Sequence, residues 1–117
     1  MAESILQEKS YRFALRIVKL SEYLNNERKE YVIYRKVLDS GTSVGVFIEE
    51  AIQAIERQDF VAKFSLANKE AFKTNFWLRL LRDSDYINNN LASSLLADCE
   101  ELQKMLISSL KTARRAD

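Results

Sequence analysis

The 117-residue chain carries 18 Lys plus Arg against 17 Asp plus Glu, a formal net charge of +1, so no whole-molecule field draws it to nucleic acid and any such contact needs a local patch. With 47% hydrophobic and 30% charged residues it is too apolar for disorder and is expected to fold as one soluble domain over residues 1–117. No proline, two glycines, one cysteine and no histidine disfavour β-hairpins and exclude an internal disulfide, a Cys/His zinc site and a Cys-His nucleophile pair.

Apolar residues recur at helical steps in four stretches. The first pattern starts near Ile5 and puts Phe13, Ile17, Leu20 and Leu24 on one face, with Arg12, Arg16, Lys19 and Glu22 turned away; Asn25-Asn26 ends it. The second is read over residues 28–57, a rod of roughly 40–45 Å at 1.5 Å per residue and the longest of the four. Val37, Ser40, Val44, Phe47, Ala51 and Ile55 keep steps of three and four straight through Gly41 and Gly45, which argues for one continuous helix rather than a turn. Helix-interior glycines cost about 1 kcal/mol each relative to alanine. The small residues Gly41, Ser43, Gly45 and Ala51 are therefore expected where a neighbouring helix packs close.

Asp59 is placed as the N-cap or a first-turn acid of the third helix, where Phe60, Phe64, Ala67, Ala71, Thr74, Leu78 and Leu81 hold the alternation. Residues 83–90 carry the one extended loop signal, with Ile87 expected to plug the end of the bundle. The fourth helix shows Leu91, Leu95, Cys99, Leu102, Leu106 and Leu110 on one face and ends in Lys111, Arg114 and Arg115, where basic residues suit the helix dipole. Short connections imply antiparallel neighbours, so the expected fold is all-α, an up-down-up-down four-helix bundle. No apolar run of signal-peptide or membrane-span length is present, and the lone cysteine fits a reducing compartment, so a cytoplasmic protein outside the membrane is expected.

Several apolar side chains fall off these core stripes: Tyr11, Val18 and Tyr23 in the first helix, Tyr31 and Tyr34 in the second, Phe72, Phe76 and Trp77 in the third. About half widen the core stripe, given the usual width of an apolar face. The remainder predict a homo-oligomer built through a second, aromatic surface.

Chemistry finds little foothold. A di-iron carboxylate site needs Glu-x-x-His pairs and the chain has no histidine. Glu50 and Glu70 adjoin core positions Ala51 and Ala71 and are read as structural or interface carboxylates, paired with Lys69 or an arginine. The Gly41-Thr42-Ser43-Val44-Gly45 run lacks the Gly-Lys-Ser/Thr ending of a phosphate loop and follows no strand. Cys99 lies on an apolar helix face and reads as a small core residue. No enzyme and no cofactor are expected. Two basic groups are candidates for phosphate contact, Arg12, Arg16 and Lys19 on the first helix and Lys111, Arg114 and Arg115 at the chain's end, and an up-down bundle invites a composite patch from both.

The run Ser40 to Ala51, followed by the Asp59-Phe60 helix start, Lys69-Glu70-Ala71 and Trp77-Leu78, resembles the four-helix bundle proteins encoded by intervening sequences of 23S ribosomal RNA genes. In that family the second helix looks like Ser-x-x-x-Asn-Ile-x-Glu-Gly/Ala; Ser43, Ile48, Glu50 and Ala51 fall on it, and Phe47 replaces the usual asparagine. The resemblance implies a left-handed antiparallel bundle, frequently a ring-like homopentamer. A related branch, the accessory proteins of diversity-generating retroelements, pairs with a reverse transcriptase and binds nucleic acid through a strongly basic surface, whereas this chain is near neutral. Two readings stand: an oligomeric scaffold of the intervening-sequence type that contacts RNA or a protein partner, and a protein-interaction module with no nucleic-acid role.

Overall fold

The computed structural model describes residues 2–115. Its four helices are α1 (Ala2–Asn26), α2 (Ile33–Gln53), α3 (Arg57–Asp83) and α4 (Asn89–Arg115). They form one rod of 48 × 20 × 20 Å in which each helix packs on two neighbours, α1 on α2, α2 on α3, α3 on α4 and α4 on α1. Cross-helix contacts give the directions. Ile17 and Ser10 of α1 lie against Gly41 and Gly45 of α2, Thr74 and Lys63 of α3 meet Ser40 and Glu50 of α2, and Lys9 and Arg16 of α1 meet Glu101 and Asp98 of α4. In each pair residue number rises along one helix as it falls along the other, so these neighbours run antiparallel.

The stripes read from the sequence are the core. Phe13, Ile17, Leu20 and Leu24, then Val37, Ser40, Val44 and Ala51, then Phe64, Ala67, Ala71, Thr74, Leu78 and Leu81, and finally Leu95, Cys99, Leu102, Leu106 and Leu110 are buried. Phe60 and Leu91 are half-buried, and Ile48, which the stripe of the second helix left out, is buried as well. Ile87 closes one end of the bundle, as expected. Phe47, at the position where the family pattern has asparagine, packs half-buried against the core.

The second helix differs from the expectation. It is the shortest of the four, 21 residues rather than a rod over residues 28–57. At its start, the buried Glu30 carboxylate accepts backbone N–H bonds from Val32 (3.1 Å), Ile33 (2.8 Å) and Tyr34 (2.7 Å). That satisfies the orphan donors of the first turn and fixes the helix N-terminus there. Lys29, just before it, takes a left-handed backbone with φ 56°, the turn that frees the chain from α1. At the other end Ala54 is extended, so Ile55 falls beyond the helix and is 95% exposed instead of continuing the core face. Asp59 sits in the first turn of α3, whose N-cap is Glu56. Asn88 caps α4 by accepting the Leu91 N–H at 2.8 Å.

The two glycines lie where α1 approaches α2, and they are unequal. A Cβ on Gly41 would come within 2.8 and 2.9 Å of the two γ carbons of Ile17, closer than carbon atoms pack. A Cβ on Gly45 would meet the Ser10 carbonyl oxygen and Oγ at 3.6 Å, ordinary contact. Close approach is thus required at Gly41 and merely accommodated at Gly45.

Candidate functional site

The residues a chemist would choose first are occupied structurally. Glu50 pairs with Lys63 at 3.2 Å across α2 and α3, and Glu70 with Lys73 at 3.2 Å along α3. The partners are therefore Lys63 and Lys73, not Lys69 or an arginine. Glu50 is about half exposed, so its pair is a surface clip and not a buried charge. The Cys99 thiol is buried, donates to the Ala71 carbonyl (3.3 Å), and is pushed up to about 12 by desolvation, aided by the nearby Glu100 and Asp98 carboxylates. Among the described residues no group of three or more His, Cys, Asp or Glu is placed to hold a metal ion. No helix among them is long and apolar enough to cross a membrane.

The first basic group is largely neutralised within the molecule. Arg16 donates to Asp98 at 2.7 Å, Arg12 pairs with Glu8 one turn away, and Lys9 bridges to Glu101 at 3.3 Å. Of the three candidates only Lys19 makes no ion pair among the described residues. The antiparallel register also separates the two groups. Lys9 stands opposite Glu101, and Lys111 is ten residues further along α4, so Arg12, Arg16 and Lys19 lie roughly 15–30 Å along the rod from the basic end at a 1.5 Å rise. The composite patch is not assembled. Lys111, Arg114 and Arg115 are exposed at the end of α4, and Arg114 lines a shallow pocket with Arg57 and Gln58 of α3.

The surplus apolar residues divide into two kinds. Tyr34 and Trp77 are half-buried and pack on the core, with Lys36 Nζ 5.5 Å from the Trp77 ring. Tyr11, Val18, Tyr23, Tyr31, Phe72 and Phe76 are exposed, with Phe72 at 63% and Tyr11 at 60%. Tyr23 lines a groove between α1 and α4, while Tyr11 and Val18 on α1 and Phe72 and Phe76 on α3 belong to two surfaces. On α3, Phe72, Phe76 and Leu80 recur every four residues as one exposed strip. Lys69, Lys73 and Arg79 stand three residues from its two rings, and Arg79 lies 5.7 Å from the centre of the Phe76 ring.

On the opposite side, Tyr11, Leu15 and Val18 form a second exposed strip along α1, continuous with Val46 of α2. Where α1 and α2 approach, the small residues Ala14 and Gly45 leave a trough of about 710 Å³. Tyr11 and Val46 wall it, and Glu49, Glu50 and Asp59 rim it beside Lys63. Leu15, Val46 and Glu49 escaped the sequence reading, which takes Glu50 as a structural or interface carboxylate and Asp59 only as a residue of the α3 start. The i, i+4, i+7 spacing of Tyr11, Leu15 and Val18 on the face away from the core was the signal available for the first of these.

The architecture and its surfaces define a class: an all-α four-helix bundle whose distinctive surface features are apolar faces. Within that class the chain belongs to the 23S rRNA-intervening sequence protein family, whose model matches residues 2–108. It is also similar to the crystal structure of a protein of unknown function from the S23 ribosomal protein family of Bacteroides thetaiotaomicron. The two share 44% sequence identity and superpose with a TM-score of 0.93, covering 95% of this chain and 99% of the other. No curated protein matches the chain.

Proposed function

We propose that the protein is a non-enzymatic, cytoplasmic scaffold of the 23S rRNA-intervening sequence family that acts as a homo-oligomer. The observation that carries this reading is the pair of exposed apolar surfaces, Phe72-Phe76-Leu80 on α3 and Tyr11-Leu15-Val18-Val46 on α1 and α2, left uncovered although the core is complete without them. Monomers seldom leave two such patches in water, and aromatic residues are enriched where proteins meet. The subunit number that the resemblance implies is five. Light scattering on the purified protein tests the proposal: a mass several times the 13.6 kDa chain supports it, and a monomer at micromolar concentration refutes it.

A second reading, RNA contact, is favoured by one observation. Lys111, Arg114 and Arg115 are exposed and make no ion pair among the described residues. In an oligomer these helix ends repeat with the subunits, and several weak phosphate contacts add up. Replacing all three by glutamine should abolish retention of a 23S rRNA fragment at low salt while leaving the mass unchanged. Retention that survives the replacement rules the basic end out.

A further inference from the structure

We infer that the trough between α1 and α2 receives the aromatic strip of α3 from a second copy, so that copies join head to tail. The inference rests on the self-association proposed above and names the two surfaces that meet. The surfaces are complementary in shape: one is a concave apolar channel floored by Ala14 and Gly45, the other a convex row of two rings and a leucine. They are also complementary in charge. The trough carries three carboxylates, Glu49, Glu50 and Asp59, against the single Lys63. Because Lys63 already holds Glu50, Glu49 and Asp59 lack ion partners among the described residues. The α3 strip is flanked by Lys69, Lys73 and Arg79; Lys73 is paired with Glu70 and Arg79 acts on Asp83 one turn along, which leaves Lys69 without an acidic partner in the same sense.

Charge also disfavours the two symmetric alternatives. Trough against trough sets the Glu49-Asp59 rim facing its own copy, and strip against strip sets the unpaired Lys69 facing its own, and like charges across an interface oppose association. A contact between two different faces is heterologous, so each added copy still offers one open trough and one open strip until a ring closes.

Two variants, each damaging one face, test this. Tyr11→Ser with Val46→Lys spoils the trough, and Phe72→Ser with Phe76→Ser spoils the strip; all four positions are exposed, and circular dichroism checks that each chain remains helical. Each variant alone should run as a 13.6 kDa monomer, and an equimolar mixture should give a species of twice that mass and no larger, because only one intact trough meets one intact strip. If the wild type assembles while the mixture stays monomeric, or if either variant alone keeps the wild-type mass, the inference fails and the broader proposal of self-association survives. A monomeric wild type overturns both. Charge reversal gives an independent reading that leaves the apolar surfaces untouched. Glu49→Lys and Lys69→Glu should each weaken association by about tenfold at low salt, and combining them in one chain should restore it. Additive losses in the double variant would overturn the pairing of these faces.

Discussion

Substituting alanine for each glycine of α2 separates packing from propensity. Within a helix, alanine is favoured over glycine by about 1 kcal/mol. At Gly45 the added methyl finds ordinary contact with Ser10 at 3.6 Å, so most of that gain should appear. Gly45→Ala is expected to raise Tm by roughly 4 °C, from the usual conversion for a chain of this size. At Gly41 the methyl must sit 2.8 Å from one γ carbon of Ile17, 2.9 Å from the other and 3.2 Å from its Cβ. Ile17 is fully buried and β-branched, so no rotamer moves all three atoms away. Overpacking of this kind costs about 1–3 kcal/mol, which cancels or outweighs the propensity gain. Gly41→Ala should therefore leave Tm unchanged or lower it by up to about 8 °C.

The decisive comparison places Gly41→Ala in an Ile17→Ala background. Ile17→Ala alone should cost about 2–5 kcal/mol through its cavity. With the γ carbons gone, the Gly41 methyl enters that space, and the same substitution should become stabilising by about 1 kcal/mol or more. Thermal and urea unfolding of the four chains gives the coupling directly. An effect of Gly41→Ala that is the same in both backgrounds, or equal to that of Gly45→Ala, would falsify the assignment of Gly41 to a steric limit.

Other contacts give equally direct expectations. Glu30→Ala removes the acceptor of three N–H groups at the start of α2 and should lower stability by about 2–3 kcal/mol, visible in urea titration; a loss below half a kcal/mol would mean that water caps that turn as well. Thr74→Val keeps the shape but breaks the 2.9 Å bond to Ser40, whose remaining carbonyl contact, to Val37, is 3.5 Å. It should cost about 1–2 kcal/mol, and Ser40→Ala added to it should cost little more. Cys99, with its thiol pushed up to about 12, should resist disulfide reagents at pH 8 until the protein unfolds, and rapid labelling of the native chain would contradict its burial. The sign with pH follows: below pH 9 the thiol is protonated in both states, and above it the unfolded chain ionises first, so stability falls from pH 9 towards 12. Cys99→Ala should flatten that limb.

Long periodic runs made the architecture legible before any coordinates. From Phe60 to Leu81 the steps of four and three never slip, and that stretch of α3 is buried at each expected position except half-buried Phe60. The ends of α2 were not legible, because periodicity reports which face is apolar and says nothing of where backbone donors find partners. Glu30 lies in the run Glu27-Arg28-Lys29-Glu30, which reads as solvated surface charge. Only the turn at Lys29 folds its carboxylate back onto three N–H groups. The same limit governs the basic residues. Arg12 and Arg16 look available on the helix surface, yet Arg16 is claimed by Asp98, 82 residues away, a pairing that depends on the register between α1 and α4.

The small residues of α2 link interior and surface, which is why they organise the chain. Gly41 lets Ile17 approach α2 to within side-chain contact, and Gly45 faces the Ser10 backbone one turn further along. The same closeness that seals the core on the inside leaves a trough on the outside, because the residues lining the seam there, Ala14, Thr42 and Gly45, are too short to fill it. Larger residues would have closed the trough with their own side chains. The acidic rim then gives the channel a polarity opposite to that of α3, so one packing solution supplies both a stable bundle and an asymmetric surface. A change at Ala14 is therefore expected to act on assembly more than on stability. Ala14→Leu adds bulk to the trough floor at a half-buried position, and it should reduce the assembled mass with Tm changed by only a few degrees. If Ala14→Leu leaves the mass of the wild-type assembly intact, the trough is not where the copies meet.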